Sequence, residues 1–249
     1  MNGIQRFLAL SVAVFTAFAA SPALAAQYAI IKTTAGSMVV ELDNDKAPIS
    51  VANFEAYATD GFYANTVFHR VMPGFMIQGG GFDHHGNYPA GLHNKSAHQD
   101  MRPPIANEWR NGLKNMRGTL AMARLGNQPD SATAQFFINL KDNGFLDQAR
   151  DGAGYAVFGK VIAGMDVVDR IAQVPTRTIN NMQNVPTTEV KINSVEIVSQ
   201  EAAMKFAGAA KLDAAKQRLA DAEAKLSNAQ AELEAARKAL EAAKAEDSK

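Results

Sequence analysis

One arginine stands among apolar and glycine residues in the segment FHRVMPGFMIQGGG, residues 68–81, and a glutamine follows it eight positions later. Arg70 is a permanently charged donor with a rigid planar head. Gln78 adds an amide that can both donate and accept a hydrogen bond. Apart from His69, the segment contains no acid, base or nucleophile. The combination points to chemistry that uses a fixed cation beside an apolar surface.

Three later segments offer side chains of the same kind. AMAR and SATAQFFINL supply an apolar and amide set, and NGFLDQ adds an aromatic and a leucine. Neighbouring residues of a strand point to opposite faces, so Phe136 is expected in the core when Phe137 faces outward. The same alternation places Met76 and Gln78 on one face, with Phe75 on the other unless the intervening Pro-Gly bend reorients it. Taken one at a time, these apolar residues are more typical of core packing than of a site.

The surrounding sequence predicts a mainly β domain. QYAIIKTTAG and SMVVELD are strand-like runs joined by a turn, which indicates an opening hairpin. A helix follows, with Pro48 and Ser50 as start signals and Val51, Phe54 and Tyr57 at helical spacing. A second short helix is predicted in MDVVDRIAQV, and further strands in TVFHRV, FMIQGG, GTLAMAR, AQFFINL, YAVFGKVI and TEVKINSVEIVS. Many short strands with two helices favour an antiparallel barrel or sandwich.

Five blocks in order carry a specific resemblance: FHRVMPGFMIQGG, GTLAMA, SATAQFFINL, FLD and YAVFGKV. Together they resemble the cyclophilin family of peptidyl-prolyl cis-trans isomerases, in its secreted bacterial form, from about Tyr28 to Val198. The resemblance implies a closed eight-stranded antiparallel barrel capped by two helices, with the active groove on its outer face. It also implies an isomerase that needs no cofactor and no metal.

The resemblance further implies how the residues would act. Rotation about an X-Pro bond breaks amide resonance, and Arg70 matches the arginine that donates to the prolyl nitrogen in the twisted state. Gln78 matches the glutamine that holds the substrate backbone, and Ala123-Arg124 the segment that offers backbone hydrogen bonds. The remaining residues matched to the substrate groove are Phe75, Met76, Gln135, Phe137, Phe145, Leu146 and Tyr155.

Two positions depart from the better-known eukaryotic pattern. Phe145 replaces a tryptophan at the pocket rim, and the only tryptophan is Trp109 in another loop. Phe145 lacks the N–H donor of tryptophan and part of its contact area, so weak cyclosporin binding is expected. Tyr155 stands where that pattern has a histidine, and it keeps aromatic area at that wall.

The residues leave two alternatives to catalysis by Arg70. An arginine on a single strand is commonly a structural residue that pairs with a carboxylate. The whole groove could also serve a binding module that holds proline-containing peptides as a chaperone or assembly factor. Retention of Arg70 favours the enzyme, because a pure binder has no use for a donor aimed at a transient lone pair. The expected substrates are proline-containing unfolded or exported polypeptides.

The histidines are expected to be structural or solvated. His69 is interpreted as a hydrogen-bonded structural residue, since the reaction needs no proton transfer. The loop FDHHGNYPAGLHNKSAHQD collects four others, whose spacing matches no helical ligand pair and no compact zinc signature. An ordinary polar loop is therefore predicted rather than a metal site. These four are His84, His85, His93 and His98.

The N-terminus reads as a secretory signal peptide. Residues 1–25 contain a charged start, the apolar run FLALSVAVFTAFAA and the Ala23-Leu24-Ala25 triplet of a cleavage site. The apolar run is shorter than the ~20 residues that a bilayer requires, so no stable membrane insertion is expected after cleavage, and a periplasmic location is predicted. The chain has no cysteine, and its formal net charge is +0, which disfavours nucleic-acid binding.

Composition changes at Gln200, which divides an isomerase domain at residues 27–200 from an Ala/Glu/Lys-rich extension at residues 201–249. Leucine recurs every seventh residue from Leu212 to Leu240, and alanine occupies each d position when leucine is a. This spacing predicts a coiled-coil helix that forms a weak homo-oligomer or binds an envelope partner. A single solvated helix is the alternative, because such compositions are helical without a partner.

Overall fold

The computed structural model of the protein describes residues 27–97 and 101–246. The predicted signal peptide and His98 lie outside these residues. The helices are α1 (Pro48–Thr59), α2 (Met165–Ala172) and α3 (Gln200–Glu246). The strands are β1 (Gln27–Thr33), β2 (Gly36–Leu42), β3 (Arg70–Met72), β4 (Met76–Gly79), β5 (Phe82–His84), β6 (Leu92–Asn94), β7 (Thr119–Met122), β8 (Phe136–Asn139), β9 (Val157–Ala163), β10 (Thr176–Ile179), β11 (Met182–Pro186) and β12 (Ile192–Val198).

Eight strands form one curled antiparallel sheet in the order β12, β1, β2, β9, β7, β8, β4, β3. The mainly β class, the opening hairpin and the two short helices are therefore confirmed. Two more hairpins, β5–β6 and β10–β11, lie outside this sheet. The β5–β6 segment was predicted to be a polar loop, and no element was predicted for the β10–β11 segment.

The predicted closed barrel is wrong, because β12 and β3 remain the edges of the sheet. The chain before β3 meets the chain before β12 through an isolated bridge between Val67 and Lys191. The Phe68 N–H also donates to the Val190 carbonyl at 3.0 Å. These contacts bring the two edges of the sheet together, but β3 and β12 do not pair as neighbouring strands. Because β3 has only three residues and pairs with β4, the sheet is an open half-barrel.

The concave face of the sheet and helix α1 enclose the main core. Val51, Phe54 and Tyr57 of α1 are buried, as their spacing predicted. The Phe54 ring lies 5.2 Å from Tyr63 and 5.3 Å from Phe158, centroid to centroid. An aromatic cluster thus joins α1 to the sheet by the apolar burial that dominates folding.

Helix α1 begins differently from the prediction. Pro48 occupies the first turn as expected, but Ser50 lies inside the helix. The backbone N–H groups of Ile49 and Ser50 donate to the Glu108 carboxylate at 3.0 and 2.7 Å, and the Ser50 hydroxyl donates to it at 2.7 Å. A carboxylate distant in sequence therefore satisfies the free N–H groups of the first turn, where the helix dipole favours negative charge.

Helix α3 starts at the predicted composition boundary, and its first turns pack on the sheet. Ala203 and Ala207 are buried against Tyr28, Ile30 and Val39, on the convex side of β1 and β2. The five heptad leucines are 54–60% exposed. The first two turns of α3 thus pack on the sheet, and the rest of the helix exposes its leucines to solvent.

Candidate active site

Strand register brings the predicted site residues into one row on the convex face. Arg70 of β3 lies directly opposite Gln78 of β4, and Gln78 lies opposite Phe137 of β8. Phe137 in turn lies opposite Ala121 of β7. Alternation places Phe136 on the other face, where it belongs to the main core, as predicted.

These residues line a groove of about 340 Å³. Ten of the eleven predicted site residues line it directly, and the eleventh, Gln135, contacts Gln78 beside it. The ten are Arg70, Phe75, Met76, Gln78, Ala123, Arg124, Phe137, Phe145, Leu146 and Tyr155.

The Arg70 guanidinium is half-buried at one end of the groove. Its Nη1 lies 3.4 Å from the Gln78 Oε1, and the Gln78 Nε2 donates to the Gln135 Oε1 at 3.0 Å. Within residues 27–97 and 101–246, no carboxylate forms an ion pair with Arg70. Partial burial lowers the arginine's pKa from its ordinary value, and Tyr155 offsets part of that effect. Arginine nevertheless stays protonated in proteins, so a charged donor is held here with its other N–H groups available.

Apolar side chains form the floor of the groove next to Arg70. Met76, Phe137 and Leu146 are almost fully buried beneath it. Phe75 lies in the turn between β3 and β4, where Gly74 has φ +68° and the Phe75 N–H donates to the Met72 carbonyl at 3.0 Å. That turn reorients Phe75 onto the same side as Met76, which strict alternation would forbid.

The rim is formed by a 3₁₀ helix at Gly144–Asp147. Phe145 is 38% exposed and stacks on Phe75, with ring centroids 5.6 Å apart and an interplanar angle of 26°. The Arg150 guanidinium lies 5.5 Å from the Phe145 ring centroid on the solvent side. Phe145, which stands where the eukaryotic pattern has a tryptophan, is therefore held in a stack with the groove wall.

Buried asparagines hold this rim in place. Asn143 donates to the Phe75 carbonyl at 2.9 Å and to the Asn139 Oδ1 at 2.8 Å. Asn139 donates to the Asn115 Oδ1 at 3.1 Å, and Asn115 donates to the Asp147 Oδ1 at 2.8 Å. These side-chain hydrogen bonds run from the Phe75 carbonyl to Asp147 and tie the floor to the rim, while the buried Asn143 Oδ1 has no partner among the described residues. The sequence offers no signal for this network, because three separated asparagines carry no shared spacing.

Arg124 supports the opposite wall through its side chain. This side chain is 1% exposed and donates to Asp151 at 2.8 Å, and its guanidinium lies 4.6 Å from the Tyr155 ring centroid. Hydrogen bonding to Arg124 lowers the Asp151 pKa from its ordinary value. The residue as a whole is partly exposed, so its exposed part is the backbone.

Three groove residues were missed by the sequence reading. Gln148, Arg150 and Asp151 belong to the loop DQARDGAG, residues 147–154. The loop reaches the groove because Arg124 also donates to the carbonyls of Arg150 and Ala153. Only the folded position of Arg124, distant in sequence from the loop, explains why these residues meet Phe145 and Tyr155.

His69 is buried beneath this row rather than in the groove. It is 4% exposed, and its ring lies 4.3 Å from the Phe82 ring centroid. Burial lowers its pKa from the model-peptide range to about 3. Its Nδ1 has no hydrogen-bond partner among the described residues, and a backbone hydrogen bond at Val67 offsets part of the effect of burial on its pKa. A buried neutral imidazole is a packing residue here.

Comparison with known proteins agrees with this geometry. The sequence model of the cyclophilin type peptidyl-prolyl cis-trans isomerase/CLD family matches residues 28–197. The chain belongs to the cyclophilin-type peptidyl-prolyl cis-trans isomerases. The matched region ends just before α3, so the sheet, its caps and the groove are the family's part of this cyclophilin, which is an isomerase.

Relatives and solved structures give the same result. This cyclophilin is 56% identical to a peptidyl-prolyl cis-trans isomerase of Acinetobacter baylyi over 73% of its own chain and 90% of that protein. It is 47% identical to peptidyl-prolyl cis-trans isomerase A of Dickeya dadantii, over 79% and 99% of the two chains. A crystal structure of a Cryptosporidium parvum cyclophilin matches with a TM-score of 0.55 at 27% identity, covering 70% of this chain and 99% of that chain.

The buried His69 should make this cyclophilin sensitive to acid. Below pH ~6.5 the unfolded chain binds a proton at this residue, whereas the folded chain stays neutral until about pH 3. Stability is therefore lost as the pH falls through this window. Between pH 7 and pH 5 we expect His69 alone to account for about 2 kcal/mol of the lost free energy of unfolding.

Urea unfolding of wild type and His69→Leu at both pH values measures this contribution. The variant should lose about 2 kcal/mol less between pH 7 and pH 5 than the wild type. The comparison uses the difference between two pH values, so a change in packing common to both cancels. His69→Gln provides a second variant without the imidazole. Equal acid losses in wild type and both variants would show that His69 does not titrate on unfolding.

Proposed function

We propose that this cyclophilin accelerates rotation about X-Pro bonds of exported polypeptides by stabilising the twisted amide, with Arg70 as the catalytic donor. One observation carries the proposal: the Arg70 guanidinium stands beside an apolar pocket and forms no carboxylate ion pair among the described residues. An arginine with a purely structural role would be expected to hydrogen-bond to a carboxylate.

The chemistry requires a donor that acts only in the transition state. The X-Pro barrier is ~18–20 kcal/mol, because twisting the bond removes amide resonance. The prolyl nitrogen then regains its lone pair and becomes a hydrogen-bond acceptor. A guanidinium aimed at that nitrogen binds the twisted state better than either planar isomer, which lowers the barrier without making a covalent bond.

Gln78 positions this donor and contacts the substrate. It lies opposite Arg70 in the β3–β4 hairpin, and its amide links the Nη1 of Arg70 to Gln135. Gly81 makes room for this link, since a Cβ there would lie 2.2 Å from the Gln135 Cγ. The amide pair thus limits the freedom of the guanidinium before substrate arrives, which is the preorganisation that electrostatic catalysis needs.

The apolar floor holds the proline ring while the preceding carbonyl swings. Met76, Phe137 and Leu146 offer a buried surface, with Phe75 and Phe145 closing one side. Burying an apolar ring of this size contributes about 1.5–3 kcal/mol. The exposed backbone at Ala123-Arg124 supplies hydrogen bonds to the peptide on the other side. A related cyclophilin of Cryptosporidium parvum was solved in the presence of the dipeptide Ala-Pro, which supports this class of ligand.

Arg70→Ala should lower kcat/KM for a short X-Pro peptide by about 10²–10³, because one preorganised donor is lost. Arg70→Lys should lose most of the activity as well, since lysine lacks the planar fork. Arg177→Ala, an exposed arginine on β10, is the matched control and should keep the parental rate. Near-ultraviolet circular dichroism checks that each variant folds. Turnover by Arg70→Ala within twofold of the parent would refute the assignment of this residue and favour a peptide-binding role for the groove.

The pH dependence should distinguish this mechanism from acid-base catalysis. No titrating group is assigned to the chemistry, and His69 stays neutral through this range because its pKa is about 3. We therefore expect kcat/KM to be flat between roughly pH 6 and 8.5. A sigmoidal fall in rate centred near pH ~6.5 would instead reveal a catalytic histidine.

We propose that the chain acts in the periplasm after removal of residues 1–25. The support is the charged start, the apolar run and the small-residue cleavage triplet. No helix within the described residues is both long and apolar enough to cross a bilayer. Intact-mass analysis of the protein from the periplasmic fraction of a Gram-negative host should find Ala26 at the N-terminus. The same gene without codons 2–25 is the control and should stay in the cytosolic fraction, whereas a full-length chain kept in the cytosol would contradict export.

We also propose that the exposed part of α3 pairs weakly with a second copy. Its leucines are more than half exposed and recur every seventh residue, with alanine at each d position. Glu234 and Lys238 form an ion pair at 3.1 Å, and Asp221 accepts a hydrogen bond from Gln217 at 2.9 Å. Five leucines at ~1.5–3 kcal/mol each barely exceed an association cost of ~4–15 kcal/mol, so pairing should be weak.

Removing residues 212–249 should abolish a concentration-dependent dimer in sedimentation equilibrium and leave peptide turnover unchanged. The truncation begins after Ala207, because removal of the whole helix would expose the apolar residues of β1 and β2 that Ala203 and Ala207 cover. Changing the five leucines to glutamine keeps the length and is a second test of the same seam. A mature chain that stays monomeric at a few hundred micromolar would exclude self-association, and turnover lost with the tail would refute its independence from catalysis.

A further inference from the structure

The β5–β6 hairpin gathers a cluster of metal-ligand side chains that the linear spacing hides. Asp83 of β5 lies directly opposite His93 of β6 in the antiparallel register. His85 follows Asp83 by two residues and lies just beyond the end of β5. Across the hairpin, the His93 Nδ1 lies 3.0 Å and the His85 Nε2 3.9 Å from the Asp83 Oδ1.

His84, the third described histidine of this hairpin, does not contact Asp83 but pairs with Glu189. The His84 Nε2 lies 2.8 Å from the Glu189 Oε1, and Lys191 approaches the same carboxylate at 3.4 Å. His84 is therefore engaged with a different segment of the chain. His84 thus contacts Glu189, whereas His85 and His93 both lie next to the Asp83 carboxylate.

The charges around Asp83 favour a cation there. Its side chain is 20% exposed, and within residues 27–97 and 101–246 no lysine or arginine forms an ion pair with it. Lys95 and Arg102 line the same pocket, but Lys95 donates to the Phe62 carbonyl and Arg102 pairs with Asp60. The groups in contact with Asp83 are two imidazoles, whose rings lie 4.8 Å apart. Two imidazoles and a carboxylate are a donor set that suits Zn²⁺ and neighbouring divalent transition metals.

The spacing of the donor atoms also fits such an ion. One ligand atom from each of Asp83, His85 and His93 lies within 4.8 Å of the others. A tetrahedral ion with ligands at ~2.0–2.1 Å separates its ligand atoms by about 3.3 Å. The two measured distances of 3.0 and 3.9 Å bracket that value. Small side-chain rotations would therefore complete the first coordination sphere without moving a strand.

We propose that Asp83, His85 and His93 bind one divalent transition-metal ion of the Zn²⁺ class, with a water completing the coordination. The ion would join β5 to β6 and so stabilise a hairpin that lies outside the eight-stranded sheet. The base of this hairpin meets the groove region, because the Ser96 N–H donates to the Gly81 carbonyl at 3.1 Å. His85 is 73% exposed at its side chain, so an ion from solution reaches the site directly.

A chromophoric chelator that competes with the protein for Zn²⁺ tests the site. The protein is the untagged mature chain, stripped of metal, and Zn²⁺ is the only metal added. We expect one tight equivalent in the parent. His85→Gln, His93→Gln and Asp83→Asn should each weaken binding by at least about tenfold. His84→Gln is the matched control, since it removes a histidine of the same hairpin that faces Glu189, and it should bind as the parent does.

Hydrogen exchange provides a second readout that locates the ion. Zn²⁺ should raise the protection of peptides that cover residues 82–94, and this effect should be absent in His85→Gln and His93→Gln. Either of two results would overturn the proposal: parental affinity retained in both histidine variants, or an equal loss of affinity in His84→Gln. Peptide turnover by each variant verifies folding, so a lost site is distinguished from a lost structure.

Discussion

The register of β3, β4, β8 and β7 is the constraint on which the groove depends. Their inner faces carry buried apolar residues such as Ile77 and Phe136, and their outer faces carry Gln78 and Phe137. A shift of one residue would exchange the two faces, burying an amide and exposing a phenylalanine. The burial that stabilises the sheet therefore also fixes which side chains face the groove.

The groove walls add a second layer of order, made from buried polar contacts. The asparagine network ties Phe75 to the 3₁₀ helix of the rim, and Arg124 ties the loop around Asp151 to the far wall. Buried amides and charges are stable only when they find partners, so these networks have one favourable arrangement. The contrast with Arg70 is informative. Arg124 donates to several partners and supports the groove wall, while Arg70 forms no ion pair with a carboxylate of the described residues.

Other features occupy parts of the chain that the row of site residues does not use. Helix α3 packs on the convex face of β1 and β2, whereas the groove lies on the convex face of β3, β4 and β8. The β5–β6 hairpin stands outside the sheet altogether. Because these regions share no side chains with the groove, an extension or an added hairpin can acquire a role without disturbing the isomerase site.

The sequence by itself determined the mainly β class, the two capping helices, the inward Phe136 and the residues that meet in the groove, because apolar periodicity and the ordered family blocks record local geometry directly. Only the tertiary structure decided that the sheet stays open, that Phe75 turns into the groove, that Glu108 caps α1 and that Asp83 meets His93. Each of these depends on a turn conformation or on a contact between distant segments. Such contacts produce no periodic pattern in the sequence, because they form only when the core packs and brings together residues that are distant along the chain.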